Sequence, residues 1–181
     1  MFLTFSELQD CIRKAKWAKA CQKDIWELNQ FDSIEEFFSH PDCLRWLCWY
    51  CENVLQGRWP EAEELIREDP KWSYWYSLSI IQGRWPEAEE VIRTFPKWSY
   101  QYSLNVIKDR WIEAEEVISQ YPEWVYWYSL NVLQGRWPEA EEVIKRDTYW
   151  VYRYSVDVIL GRWPEAEEFI RQAPEWAYLY S

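Results

Sequence analysis

His40, Cys43, Cys48 and Cys51 stand in the order H-x2-C-x4-C-x2-C, a spacing close to that of the nitrogen and thiolate ligands of zinc sites. A second set of chemistry-bearing residues recurs instead of occurring once. Arg58 and the pair Glu63 and Glu64 return as Arg84 with Glu89 and Glu90, Arg110 with Glu115 and Glu116, Arg136 with Glu141 and Glu142, and Arg162 with Glu167 and Glu168. Paired carboxylates could act as acid and base, a row of arginines could grip phosphates, and the Trp and Tyr residues that accompany them could stack bases or sugars. The elements that carry these residues decide which chemistry is open to them.

Those elements repeat. "GRWPEAEELIREDPKWSYWYSLSIIQ" (57–82) aligns without gaps on 83–108, 109–134 and 135–160, and a fifth, shorter copy starts at Gly161, so the period is 26 residues. An unbroken period of this size marks a solenoid, in which each unit buries its apolar face on its neighbours. Pro60 is placed as the first residue of a short helix, followed by Glu61, Glu63 and Glu64 where the helix dipole favours anions. Ala62, Leu65 and Ile66 form one apolar stripe, and Glu63 is spaced to pair with Arg67 on the outside. Asp69 and Pro70 read as the cap and first position of a second helix that runs to a terminating Gly83. Helices this short are marginal alone, so stacking must stabilise them. The expected fold is all-α, an α-solenoid of stacked helical hairpins with a divergent N-terminal helical cap: cap and degenerate first repeat over 1–56, five repeats over 57–181.

Comparison of the copies separates two kinds of position. Arg58, Trp59, Glu63, Glu64, Trp72, Tyr74, Tyr76 and Ser77 have the same residue in every copy, which points to packing between units. The structural ladder is therefore expected along Arg58 and Trp59, Arg84 and Trp85, Arg110 and Trp111, Arg136 and Trp137, Arg162 and Trp163, with the arginines paired to nearby carboxylates and the aromatics in the core. Other columns vary: Trp75, Gln101, Trp127, Arg153, Leu179; Lys71, Lys97, Glu123, Tyr149, Glu175; Ser79, Asn105, Asn131, Asp157. Spaced by four, they share one face of the long helix. A face the stack leaves unconstrained is solvent surface or recognition surface, and two tryptophans favour recognition, because Trp is enriched at interface hot spots. Trp75, Gln101, Trp127, Arg153, Lys71, Lys97 and Tyr149 are the candidate partner-binding residues.

Within the first 56 residues, Trp46, Trp49, Tyr50, Cys51, Val54 and Leu55 match Trp72, Trp75, Tyr76, Ser77, Ile80 and Ile81, which makes 33–56 a degenerate first unit. Ahead of it, "TFSE" (4–7) is a capping box, with Leu3 and Leu8 spaced as a staple, and "KWAKACQKDIWELNQ" continues in helical register. Because Cys51 falls where the other copies put Ser, the thiols read as small buried side chains, and a metal held by His40, Cys43, Cys48 and Cys51 is the weaker alternative.

The net charge of -11 argues against direct nucleic-acid binding, which depends on basic clusters. No apolar stretch approaches the roughly 20 residues of a membrane span, and "MFLTFSELQD" lacks the basic start and apolar run of a signal peptide. Five cysteines without a disulfide-like framework favour a reducing compartment, hence the cytoplasm. His40 is the only histidine and the four glycines form no phosphate loop, so neither an enzyme nor a cofactor is expected.

The strings "GRWPEAEEVI" and "PxWxYxYSxxVI" resemble a family of short tandem helical repeats, of the type GR-W/F-PEAE…YAYxYA…VIKG, common in proteins of bacteriophages and their hosts. The resemblance covers 57–181, and "FDSIEEFFSHPDCLRWLCWYCENVLQ" is similar to the unit that often precedes such repeats. It departs from the pattern where Ser73 and Ser77 replace the usual Ala and where Asp109 and Ile112 break GRWP. It implies a viral or mobile-element origin, location in the host cytoplasm and an interaction role, such as inhibition of a host defence protein. Two other functions stay open: a sponge for a small molecule or nucleotide, and an acidic mimic of nucleic acid.

Overall fold

The computed structural model describes residues 4–17, 21–171 and 176. Among the described residues every regular element is a helix, and no helix is long and apolar enough to cross a membrane. The chain falls into two compact units, residues 1–91 and 92–181, and the expected boundary between cap and repeats lies inside the first. Within each unit consecutive hairpins pack serially, the arrangement of an α-solenoid.

Ahead of the degenerate unit the cap comprises α1 (Phe5–Trp17) and α2 (Gln22–Leu28), and the unit itself opens with α3 (Ile34–Ser39). The Thr4 hydroxyl accepts from the Glu7 backbone N–H at 3.3 Å and the Glu7 carboxylate accepts from the Thr4 N–H at 2.7 Å, closing the capping box; Leu3 lies outside the described residues. The register expected to continue past α1 is carried instead by a separate α2, which starts from an extended Cys21 (ψ 131). The degenerate unit supplies α4 (Cys43–Tyr50), which continues as a π-helical turn over Cys51–Leu55.

The first four repeats are the expected hairpins. In the first, α5 (Pro60–Ile66) buries Ala62 and Ile66, and α6 (Pro70–Tyr76) starts where the Asp69 side chain accepts from the Trp72 N–H at 2.9 Å. The next copies give α7 (Pro86–Ile92) and α8 (Pro96–Tyr102), then α9 (Ile112–Ile118) and α10 (Pro122–Tyr128). In the last two copies a 3-10 turn precedes a shorter first helix, giving α11 (Glu141–Ile144), α12 (Thr148–Tyr154) and α13 (Glu167–Arg171). Residues 172–175 and 177–181 of the fifth copy, including Glu175 and Leu179, lie outside the described residues.

The long helices end differently from expectation. Each passes into a π-helical turn, Ser77–Ile81 in the first repeat, and stops at a left-handed residue that is not glycine: Gln56, Gln82, Lys108, Gln134 and Leu160 have φ between 51 and 60. The Ser77 carbonyl accepts from the N–H groups of both Gln82 and Gly83, so the turn is one residue wider than an α-helical end and the reversal falls one residue before the glycine. No glycine has positive φ, and a Cβ on Gly83 would meet nothing within 4 Å. Asp109 occupies the equivalent place for that reason.

Two aromatic series stack copy on copy. Tyr50 lies against Trp59 and Tyr76 against Trp85, with ring centroids at 5.4 and 5.1 Å; in the second unit Tyr102, Tyr128 and Tyr154 meet Trp111, Trp137 and Trp163 at 5.0, 5.1 and 5.3 Å. A second series joins Tyr100 to Trp124 at 5.9 Å, Tyr126 to Trp150 at 5.2 Å and Tyr152 to Trp176 at 5.3 Å. Such pairs add about 0.5–1.5 kcal/mol each beyond the area they bury.

Candidate interaction face

The invariant polar residues are engaged inside the hairpins. Arg58 donates through Nε and Nη2 to the two oxygens of Glu63, both at 2.7 Å. The same fork joins Arg84 to Glu89, Arg110 to Glu115 and Arg136 to Glu141, while Arg162 directs both nitrogens to one oxygen of Glu167. Glu63 is buried and also accepts from the Tyr76 hydroxyl at 2.9 Å. The expected outer pair with Arg67 is replaced by this inward one, because a carboxylate sunk among apolar helices needs partners that are themselves fixed. Burial pushes the Glu63 carboxyl up, and the hydrogen bonds from Arg58 and Tyr76 outweigh it, so its pKa falls below the usual range.

Ser77 is buried and its hydroxyl donates to the Ser73 carbonyl at 2.7 Å. That bond gives the hydroxyl a partner where the helix widens into its π turn.

The variable face is less open than its composition suggested. In the second unit Asn131 donates to the Tyr100 hydroxyl at 3.0 Å, and the Tyr126 hydroxyl donates to Asp157 at 2.6 Å. Asn131 and Asp157 therefore tie their hairpins to the preceding ones, and the stack does constrain these two positions. Arg153 donates to Asp157 (2.8 Å), the Tyr126 hydroxyl (2.8 Å) and the Tyr149 hydroxyl (3.3 Å), and its guanidinium lies 5.3 Å from the Tyr126 ring centroid. Burial and the hydrogen bond to Asp157 push the Tyr126 hydroxyl up to about 12. Gln101 accepts from Asn105 at 2.9 Å, and Trp127 is half-buried with its ring edge-on to Tyr126 at 4.9 Å. Four of the predicted residues, Gln101, Trp127, Arg153 and Tyr149, thus take part in internal contacts of the second unit. Lys71 and Lys97 are exposed, each ammonium resting on the ring of the following tryptophan at 4.5 and 4.7 Å.

Trp75 is 42% exposed and borders a groove of about 190 Å³ between α4 and α6. Cys48, Trp49, Glu52, Trp72 and Ser79 complete its walls, with Arg45 at one end. Trp49 and Cys48 are not among the partner-binding residues expected from the sequence, which places Cys48 as a buried thiol or, in the weaker alternative, a metal ligand. The signal was present in the alignment of the degenerate unit, where Trp49 shares the column of Trp75, and Cys48 holds the place of Tyr74.

The four residues of the metal alternative are not brought together. Among the described residues no group of three or more His, Cys, Asp or Glu side chains is placed to hold an ion. His40 stacks on Trp46 at 4.7 Å, and its Nδ1 accepts from the Asp42 N–H at 3.2 Å. Cys43, Cys48 and Cys51 are buried, and burial raises the pKa of each thiol, that of Cys51 to about 12. A thiol held protonated is a poor metal ligand and a poor nucleophile.

Compared with protein-family models, with curated proteins and with solved structures, the chain matches none.

Proposed function

We propose that this chain is a non-enzymatic interaction solenoid that recognises another protein through the long-helix faces of its repeats, in the first unit at Trp75 and Lys71 and in the second at Lys97 and Trp127. The observation that carries the reading is the division of labour among aromatics. The invariant tryptophans of the Trp59 column are consumed by stacking on the tyrosine of the preceding copy, whereas Trp75 stands 42% exposed beside an open groove. A large aromatic left in water costs free energy that a partner's surface recovers. The repeated carboxylates support the same conclusion, since Glu63 is locked by Arg58 and Tyr76 and has no open face for substrate.

The resemblance to phage-associated repeats extends the reading to a chain acting in the cytoplasm of a host cell, where it binds and blocks a defence protein without contacting nucleic acid directly. A sponge for a small molecule is the alternative from another class; the groove, at about 190 Å³, is smaller than the roughly 300–1,000 Å³ usual for such sites. An acidic mimic of nucleic acid is the second alternative, and strong weakening of capture by salt would favour it. The test is partner capture by the wild type and by a variant with Trp75, Gln101, Trp127 and Arg153 all changed to Ala. Loss of capture with helical content retained supports the face, and capture that survives in the folded variant contradicts it.

A further inference from the structure

The groove beside Trp75 exists because one ring is missing. In the second unit, Tyr100 and Tyr126 fill the space against Trp124 and Trp150 of the following copy, and their hydroxyls meet Asn131 and Asp157. The degenerate unit has Cys48 where those copies have tyrosine, and the first repeat has Ser79 where they have Asn or Asp. Both replacements shorten a side chain, and both residues line the resulting groove, with Trp49, Trp72 and Trp75 as its aromatic walls.

Charge decides what replaces the ring. Glu52 is exposed at the rim with no hydrogen-bond or ion-pair partner among the described residues, and both its charge and that of Asp69 are felt at the Cys48 thiol. Arg45, at one end, is neutralised by Asp24 at 2.8 Å and Asp42 at 3.3 Å. Of the two charged residues that line the groove, Arg45 is thus already paired, which leaves the Glu52 carboxylate as the charge open to a ligand, in a chain of net charge -11. The chain also contains a template for a cation in such a setting: the Arg153 guanidinium lies 5.3 Å from the Tyr126 ring centroid while Asp157 accepts a hydrogen bond from its Nε–H. A guanidinium is planar like the missing phenol, stacks on tryptophan and carries the complementary charge.

We infer that the groove between α4 and α6 is a docking site for an arginine side chain on a basic segment of the partner protein, stacked between Trp72 and Trp75 with Glu52 as its counter-ion. This rests on the reading that the long-helix face recognises a protein. The probe is a short acetylated and amidated Gly/Ser peptide with a central arginine, compared with peptides having citrulline or tyrosine there, titrated into the 15N-labelled full chain while the indole N–H signals of Trp72 and Trp75 are followed. The arginine peptide is expected to move both signals and the citrulline peptide to bind at least tenfold more weakly. Cys48→Tyr, which restores the ring of the regular copies, is expected to abolish the shifts, and Glu52→Gln to weaken binding several-fold. Equal binding of arginine and citrulline, preference for tyrosine, or arginine binding unchanged in a folded Cys48→Tyr protein each overturns the inference. If Cys48→Tyr does not fold, Trp75→Ala and Glu52→Gln carry the test, and unchanged binding in both overturns it. Cross-linking from position 71 scores the face separately: retained cross-links with no peptide shift remove the arginine site alone, whereas their loss removes the face.

Discussion

The Tyr76 hydroxyl accepts a hydrogen bond from the Trp59 backbone N–H at 2.8 Å, seventeen residues upstream, and donates one to Glu63 at 2.9 Å. One phenol thereby supplies the cap that the side chain of Trp59 does not give to α5 and fixes the buried carboxylate, while its ring packs on Trp85 of the next copy. The equivalent N–H bonds join Trp111 to Tyr128 and Trp137 to Tyr154 at 2.8 and 2.7 Å.

Tyr76→Phe keeps the ring and removes only the hydroxyl, leaving the Trp59 N–H without its acceptor and Glu63 with the Arg58 donors alone. The expected cost is about 1–3 kcal/mol, read as a lower denaturant midpoint at unchanged m-value. A midpoint equal to wild type would show that the hydroxyl is dispensable.

Acid should loosen the same network. Glu63, Asp24 and Asp157 all have folded-state pKa values below their ordinary ones, held there by hydrogen bonds from Arg58 and Tyr76, from Arg45, and from Tyr126 and Arg153, against the upward push of burial. A depressed folded pKa contributes stability that is present above the unfolded value, about 4 for carboxylates, and lost as pH falls through the folded one. Melting temperature is therefore expected to be flat near neutrality and to fall below about pH 4, with a shallower fall for Glu63→Gln.

The two kinds of tryptophan should separate in stability. Trp111 is buried, 2% exposed, and Trp75 is 42% exposed. Trp111→Ala is expected to cost about 3–5 kcal/mol, and Trp75→Ala about 1 kcal/mol or less, both from chemical denaturation. A similar cost at the two sites would erase the distinction between stacking and recognition residues.

The left-handed residue at each helix end gives a prediction opposite to the usual reading of the sequence. Leu160 has φ 60 and is 79% exposed, so Leu160→Gly relieves strain of about 1–2 kcal/mol against an unfolded-state entropy cost of about 0.5–1 kcal/mol. A gain of up to about 1.5 kcal/mol is expected. Gly161→Ala, where a Cβ would meet nothing within 4 Å, should lose no stability.

The repeat period, the helix starts at Pro60 and Pro70 and the cap at Asp69 were legible, because proline geometry and side-chain capping are local. The π turn after Tyr76 was not, since nothing in "SLSIIQ" distinguishes a wider helix from an ordinary one. Glu63 was misjudged for a related reason. Spacing by four offers Arg67, but burial turns the carboxylate toward Arg58 and Tyr76, and only the assembled hairpin shows which side is inside. On the candidate face, variation at Asn131, Arg153 and Asp157 suggested freedom, whereas the structure places these residues in bonds that differ in chemistry from copy to copy. The groove at Trp75 was legible only as an absence, Cys48 in a tyrosine column.

Photo-cross-linking locates the recognition face most directly. A photoreactive phenylalanine placed at exposed Lys71, on the long-helix face, is compared with one at exposed Glu64, on the first helix of the same hairpin, in cells that carry the protein. The account predicts a discrete cross-linked protein from position 71 and none from position 64. Cross-links from position 64 alone, or the same products from both, would contradict it.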